Sequence, residues 1–164
     1  MKKFFGKVFL IAVTLFVMSI ATVSAQTFGQ SVWTDEEPDS SNFAEEVLEL
    51  VNIERENQGL EPLELYDDLC DRADIRAEEI IEYFSHDRPD GSSCFTVLDG
   101  MNYRTCGENI AAGQISPEDV MDSWMNSEGH RANILNPNFK YLGVGYAYDE
   151  NSTYKNYWVQ LFLG

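Results

Sequence analysis

Tyr141-Leu142-Gly143-Val144-Gly145-Tyr146-Ala147-Tyr148 and Tyr157-Trp158-Val159-Gln160-Leu161-Phe162-Leu163, separated by the polar run from Asp149 to Asn156, decide the fold class. Two stretches rich in β-branched and aromatic residues around a polar turn are the pattern of paired strands. Upstream the period changes. Phe43, Val47, Leu50 and Val51 recur at i, i+4, i+7 and i+8, which predicts an amphipathic helix over 42–57, capped by Asn42 with Glu45 three residues on and stopping near Gly59. Beyond Pro62, the residues Leu69, Ala73, Arg76, Ala77, Ile80 and Phe84 share one face of a second helix over 67–84, with Arg76 the one polar member. Ser92 or Ser93 is placed to cap a short helix over Phe95 to Leu98, and a further strand is expected from Tyr103 to Ile110. Ser116-Pro117-Glu118-Asp119 supplies a cap, a proline at the first helical position and two acids facing the dipole; Val120, Met121, Trp124 and Met125 form the buried face that follows. Helices first and strands last argue for an α+β domain, with helices covering a mainly antiparallel sheet.

The N-terminus reads as something else. Lys2, Lys3 and Lys7 form a positive region, Val8 to Ile20 an apolar one, and Val23-Ser24-Ala25 a small-residue cleavage site. This is the pattern of a secretory signal peptide over residues 1–25, and the apolar run is shorter than the roughly 20 residues of a membrane-spanning helix. Residues 26–41, with Asp35-Glu36-Glu37-Pro38-Asp39, show no apolar period and read as a flexible acidic lead-in. The domain proper is expected over 42–164. Removal of the signal takes three lysines and no acid, which leaves 8 Lys+Arg against 28 Asp+Glu, with no integral membrane span. That balance excludes a nucleic-acid partner, whose phosphates need basic side chains. It suits a secreted, extracellular protein that stays dispersed or attracts cations. Of the three cysteines Cys70, Cys94 and Cys106, one bridge is possible in an oxidising compartment; Cys94–Cys106 closes the shortest loop, but sequence does not fix the pairing.

Two histidines are present, each in a short polar motif: Phe84-Ser85-His86-Asp87-Arg88-Pro89-Asp90-Gly91 and Ser127-Glu128-Gly129-His130-Arg131, with Cys106-Gly107-Glu108-Asn109-Ile110 between them. Imidazole titrates near neutrality and is the commonest metal ligand. One cleft built from His86, Glu108, Glu128 and His130 is the reading that uses all of them. The alternative is a structural hydrogen-bond network that fixes helices to the sheet.

In order and spacing, these blocks resemble the CAP superfamily of cysteine-rich secretory, venom allergen and pathogenesis-related proteins, in its bacterial branch. The resemblance rests on Val51-Asn52-x-x-Arg55, Gly59-Leu60-x-Pro62-Leu63, the His86 and Glu108 blocks, Trp124-x-x-Ser127-x-Gly129-His130-Arg131, Asn133-Ile134-Leu135 and Tyr157-Trp158-Val159-Gln160. It implies a three-layer α-β-α sandwich whose cleft carries a tetrad at His86, Glu108, Glu128 and His130. It also implies that His86 and His130 hold Zn2+ or another divalent cation, and that the cleft takes an extracellular ligand such as a peptide, glycan or lipid. The animal members' cysteine-rich extension is missing from the sequence, so channel-blocking activity is not implied. Asn109, Asn133 and Gln160 read as hydrogen-bonding residues flanking the cleft.

Two chemistries follow. In a binding module the cation is held loosely and the acids orient the imidazoles. In a zinc-dependent hydrolase, Glu108 and Glu128 are the catalytic residues: Glu108 acts as base on a metal-bound water, and Glu128 as third ligand or orienting group. The chain has no His-Glu-x-x-His and no nucleophile motif, which favours binding.

Overall fold

Every residue of the last strand, Asn156–Leu163, is buried, and its two faces serve two different cores. Tyr157, Val159, Leu161 and Leu163 join one apolar cluster, while Trp158 and Phe162 join the other. Side chains alternate across a strand. A strand buried on both faces therefore needs helices on both sides, and that is the architecture of the computed structural model, which describes residues 38–164. The expected signal peptide 1–25 and most of the lead-in 26–41 lie outside the described residues.

In chain order the elements are α1 (Phe43–Asn57), β1 (Glu64–Leu65), α2 (Asp67–Glu82), a 3-10 segment (Cys94–Leu98), β2 (Cys106–Ala112), α3 (Pro117–Met125), α4 (Glu128–Ile134), β3 (Tyr141–Tyr148) and β4 (Asn156–Leu163). The sheet runs β1-β3-β4-β2. β3–β4 and β4–β2 are antiparallel, and the two-residue β1 lies parallel to β3. α2 packs on one face through Leu69, Ala73, Ala77 and Ile80. α1, α3 and α4 cover the other through Val47, Val51, Val120, Trp124 and Ile134. The α+β sandwich with a mainly antiparallel sheet is thus observed, and both expected C-terminal strands form.

Local chemistry accounts for most boundaries. Ser116 accepts the backbone N–H of Asp119 at 3.2 Å and Pro117 opens α3, as the sequence signals require. Ser93, not Ser92, caps the 3-10 segment by accepting from Phe95. Asn42 does occupy the cap position of α1, but its side chain makes no capping bond there. The expected strand from Tyr103 begins three residues later, at Cys106. α2 stops at Glu82 because Tyr83 turns extended (φ −138°, ψ 91°), so Phe84 leaves the helical face on which its spacing put it and is exposed. Asn52 joins α1 to the following loop, donating to the Leu63 carbonyl at 3.0 Å and accepting from its N–H at 2.8 Å. Arg55 is buried and donates to the carbonyls of Ile134 and Asn136 at 2.8 and 2.9 Å, satisfying the end of α4.

At two glycines of β3 the sheet comes directly against the backbone of α2. A Cβ on Gly143 would stand 2.4 Å from the Leu69 backbone, and one on Gly145 would stand 2.1 Å from that of Ala73. Glycine in a strand interior often marks such an approach. The contact sets the height of α2, and with it the position of Arg76 one turn further on.

Candidate functional site

Arg76 interrupts the apolar stripe of α2, and its side chain is fully buried. A guanidinium in that setting requires an anion, because an unpaired buried charge is strongly unfavourable. β2 supplies it: Glu108 points at α2, and its Oε2 accepts from Arg76 Nε at 2.8 Å. The same guanidinium donates to Glu79 at 2.6 Å and to the Ser85 carbonyl at 2.8 Å, the residue just before His86.

The His86 loop is tied down from several sides. Arg88 pairs with Glu79, its Nε at 2.9 Å from Oε1. Arg88 N–H donates to the Ser92 carbonyl at 2.7 Å, around a turn in which Gly91 has φ +82°. That conformation favours glycine. Cys94 N–H donates to the His86 carbonyl at 3.0 Å. His86 Nδ1 lies 2.8 Å from Glu108 Oε1. An ionised carboxylate only accepts, so Nδ1 carries the hydrogen, and in the neutral ring Nε2 keeps its lone pair. The Glu108 side chain is 1% exposed, while that of His86 is 59% exposed. A buried carboxylate thus orients an imidazole whose other nitrogen is left to serve a ligand.

The second histidine is held through its backbone. Asn109 Nδ2 donates to the His130 carbonyl at 3.1 Å and to Gln160 Oε1 at 3.0 Å. Asn133 Nδ2 in turn donates to Asn109 Oδ1 at 2.8 Å and to the Glu108 carbonyl at 3.1 Å. This amide ladder joins α4 to β2 and β4, the role expected for Asn109, Asn133 and Gln160. Among the described residues, the half-buried imidazole of His130 makes no hydrogen bond of its own.

The hydrogen bond to Glu108 raises the His86 pKa above its ordinary value. Burial, and then the charge of His86, lower that of His130. The two imidazoles are thus displaced from the ordinary value in opposite directions. Opposite shifts predict opposite limbs of stability against pH. His86, with its folded pKa raised, contributes stability that is complete below about pH 6.5 and lost as pH rises through the folded value. His130, with its folded pKa lowered, withdraws stability at acid pH, and this returns as pH rises toward about 6.5. Solvent screening of the exposed His86 keeps its limb the smaller. In melting curves from pH 5 to 8, His130→Gln should gain on the wild type at the acid end, and His86→Gln should lose most there. Parallel wild-type and variant profiles would contradict the assignment.

Glu128 opens α4 and is exposed. Among the described residues it makes no hydrogen bond or ion pair. The carboxylate that the sequence places in the cleft is thus free on the surface end of the helix, whereas Glu108 is fully engaged.

Two residues that carry no role in the sequence reading enter here. Arg76 was legible as the lone polar member of an apolar helical face. Cys94 was not, since nothing in its spacing points to Glu108. The Cys94 thiol is buried, and its ligand atom, with those of His86 and Glu108, lies in a group whose members are all within 4.8 Å of one another. That trio fits a cation poorly. Arg76 already neutralises the carboxylate, and burial, with Glu108 beside it, pushes the thiol up to about 12. Imidazole nitrogens suit zinc and its neighbours, and His86 Nε2 is the atom of this group that is left without a protein partner. Cys70, Cys94 and Cys106 are all free thiols, so the Cys94–Cys106 bridge considered from the sequence is not formed.

The family model described as the cysteine-rich secretory protein family, CAP, matches residues 48–162. The Bacillus subtilis protein YkwD is 44% identical over 128 residues, 76% of this chain and 48% of YkwD. The crystal structure of an extracellular protein containing an SCP domain from Bacillus anthracis superposes with a TM-score of 0.67 at 31% identity, covering 75% of this chain and 40% of that one. An outer surface protein of Borrelia burgdorferi shares the fold, with a TM-score of 0.66 at 20% identity, over 78% of this chain and 96% of the other. The chain spans about half or less of the length of the curated relatives it matches. Among the described residues, no helix is long and apolar enough to cross a membrane.

Proposed function

The chain belongs to the cysteine-rich secretory protein (CAP) family, and from that premise we propose that it is a secreted recognition domain whose cleft holds a divalent cation on His86 and His130 and binds an extracellular ligand there. The observation that carries this reading is the Glu108–His86 hydrogen bond of 2.8 Å, with Glu108 anchored at its other oxygen by Arg76 at 2.8 Å. A carboxylate that holds Nδ1 fixes the tautomer and leaves Nε2 as the ligand atom. When bound, the cation supplies a Lewis-acidic point for an oxygen of the ligand. The chain's own residues orient His86 through Glu108, seat His130 through the Asn109–Asn133 ladder, and leave water and ligand access on the exposed side of His86.

The hydrolase reading asks Glu108 to take a proton from water. Both its oxygens are already accepting, one from Arg76 and one from His86, and its side chain is 1% exposed. A general base must be within hydrogen-bond reach of the proton it removes. Glu108 is better placed to position His86 than to do that work, so recognition is favoured over turnover. The extracellular location of the Bacillus anthracis relative and the signal pattern over residues 1–25 support export.

Calorimetric zinc titrations test this. At pH 7.5 the wild type should bind about one zinc, and His86→Ala or His130→Ala should weaken it by about tenfold or more, in keeping with the loss of one ligand. Affinity should fall as pH drops, first through the raised pKa of His86 and then through the lowered one of His130, because both rings must be neutral to bind. Equal binding by wild type and both variants at neutral and acid pH would move the metal to the acidic surface. A peptide, glycan or lipid ester turned over with zinc, and spared when Glu108 is replaced by a folded Glu108→Gln, would end the recognition reading.

A further inference from the structure

A second site lies away from the histidines, where the strand β4 ends. Most basic side chains of the described residues are spoken for. Arg76 and Arg88 pair with carboxylates, and Arg55, Arg72 and Arg131 donate to backbone carbonyls. Lys155 has contacts of its own. Arg104 and Lys140 differ: among the described residues neither side chain forms an ion pair or hydrogen bond. Both line one cavity of about 800 Å³, in whose lining no acidic side chain takes part. Their backbones explain the meeting, since Arg104 N–H donates to the Gly164 carbonyl at 2.7 Å and Lys140 N–H to that of Leu163 at 2.8 Å. In a chain with 28 acids against 11 bases, two uncommitted cations in one hollow without an acidic side chain are a local departure from the prevailing charge.

A second cavity of about 440 Å³ lies beside it, with Asn102 lining both. Three tyrosines stand along them half-exposed: Tyr103 at 40% in the first, Tyr66 at 38% and Tyr141 at 40% in the second. Tyr66 and Tyr141 pack as a tilted pair with centroids 5.6 Å apart. Tyrosine offers an apolar ring face and a polar tip at little entropic cost. Large aromatic rings left in solvent beside amide groups suit a flat ligand with apolar faces and hydroxyl edges. The volumes lie in the range of small-ligand sites.

We propose that this groove binds an anionic glycan: sugar rings lie on Tyr66, Tyr103 and Tyr141, Asn102 bonds their hydroxyls, and Arg104 with Lys140 takes the carboxylate or phosphate charge. The site is independent of His86 and His130. Arginine presents a planar fork that matches either anion, and lysine adds a point charge. Arg104 and Lys140 set the polarity of the groove, with the charged end of the ligand at these two side chains. Asp68 and Arg72 both line the second cavity, so that end of the groove offers an anion no net attraction.

Heteronuclear NMR titration of the full chain, with affinities from calorimetry, tests it on four named probes besides inorganic phosphate: tri-galacturonate, glucose 6-phosphate, maltotriose and hexaglutamate. Binding of tri-galacturonate or glucose 6-phosphate, with resonance shifts at Asn102, Tyr103 and Tyr141, is expected; which of the two is tighter identifies the anion. Maltotriose should bind at least about tenfold more weakly. Arg104→Gln with Lys140→Gln should weaken the charged sugar about a hundredfold, through loss of two charge-assisted bonds. Tyr103→Ala should weaken it about tenfold, and His86→Ala not at all. All the substituted groove residues are exposed, so an unchanged melting temperature is expected. Failure of every probe to bind overturns the proposal. So does a double variant that binds like wild type, maltotriose that binds as tightly as the charged sugars, or inorganic phosphate or hexaglutamate that matches them.

Discussion

Arg76→Met unfolds the domain more readily, by about 3–5 kcal/mol, the usual cost of removing one partner from a buried ion pair. Arg76 is fully buried and Glu108 has 1% of its side chain exposed, so neither water nor a rearranged neighbour relieves the stranded carboxylate. The same change releases Glu79 and the Ser85 carbonyl, which Arg76 also holds. His86 then loses its fixed orientation, and zinc affinity should fall with stability. The control is Arg76→Met with Glu108→Met, which removes both charges and should recover much of the loss, since well-packed apolar pairs often replace ionic ones without penalty. Urea denaturation at pH 7 measures both. A single-variant loss below about 1 kcal/mol would mean that the pair is solvated and does not anchor His86.

Gly145→Ala should be comparably severe. Its new Cβ would stand 2.1 Å from the Ala73 carbonyl carbon, 2.2 Å from its oxygen and 2.5 Å from Asp74 N. These are backbone atoms of α2 with no rotamer to escape into, so the helix must lift from the sheet. Overpacking costs about 1–3 kcal/mol where side chains can shift, and more where they cannot; about 3 kcal/mol or above is expected. Gly129→Ala is the contrast: nothing lies within 4 Å of the added carbon, and alanine in α4 should hold or raise stability, by up to about 1 kcal/mol. Circular dichroism melts of the two variants decide the matter. Equal melting temperatures would show that α2 does not rest on the β3 glycines.

The residues that were easy to read are those whose local and tertiary demands agree. Ser116-Pro117 starts a helix on its own chemistry, and the tertiary fold starts α3 there. β4 reads as a strand because its apolar run is fully buried on both faces. β1 escaped notice because two residues, Glu64 and Leu65, are too short for any period. The end of α2 was misplaced at Phe84 because periodicity extends a face past the point where the backbone turns toward His86. In the site, His86 and Glu108 stand out by motif, and the structure joins them by a direct hydrogen bond. Arg76 was visible as an isolated polar residue, yet its partner lies 32 positions away and no spacing rule links them. Cys94 approaches Glu108 only through the path of the His86 loop, a tertiary fact with no local signature. The glycines of β3 fall in the same class, since their meaning depends on which helix crosses them.

In the proposed function, His86 and His130 serve one cation, with Glu108 behind His86 as its orienting group. Anomalous diffraction at the zinc edge, from crystals grown with zinc near neutral pH, tests that most directly. The predicted result is a single strong peak in contact with His86 Nε2 and an imidazole nitrogen of His130, on the side of His86 away from Glu108. A peak among His86, Cys94 and Glu108, peaks confined to the acidic surface, or no peak between the two histidines would contradict it.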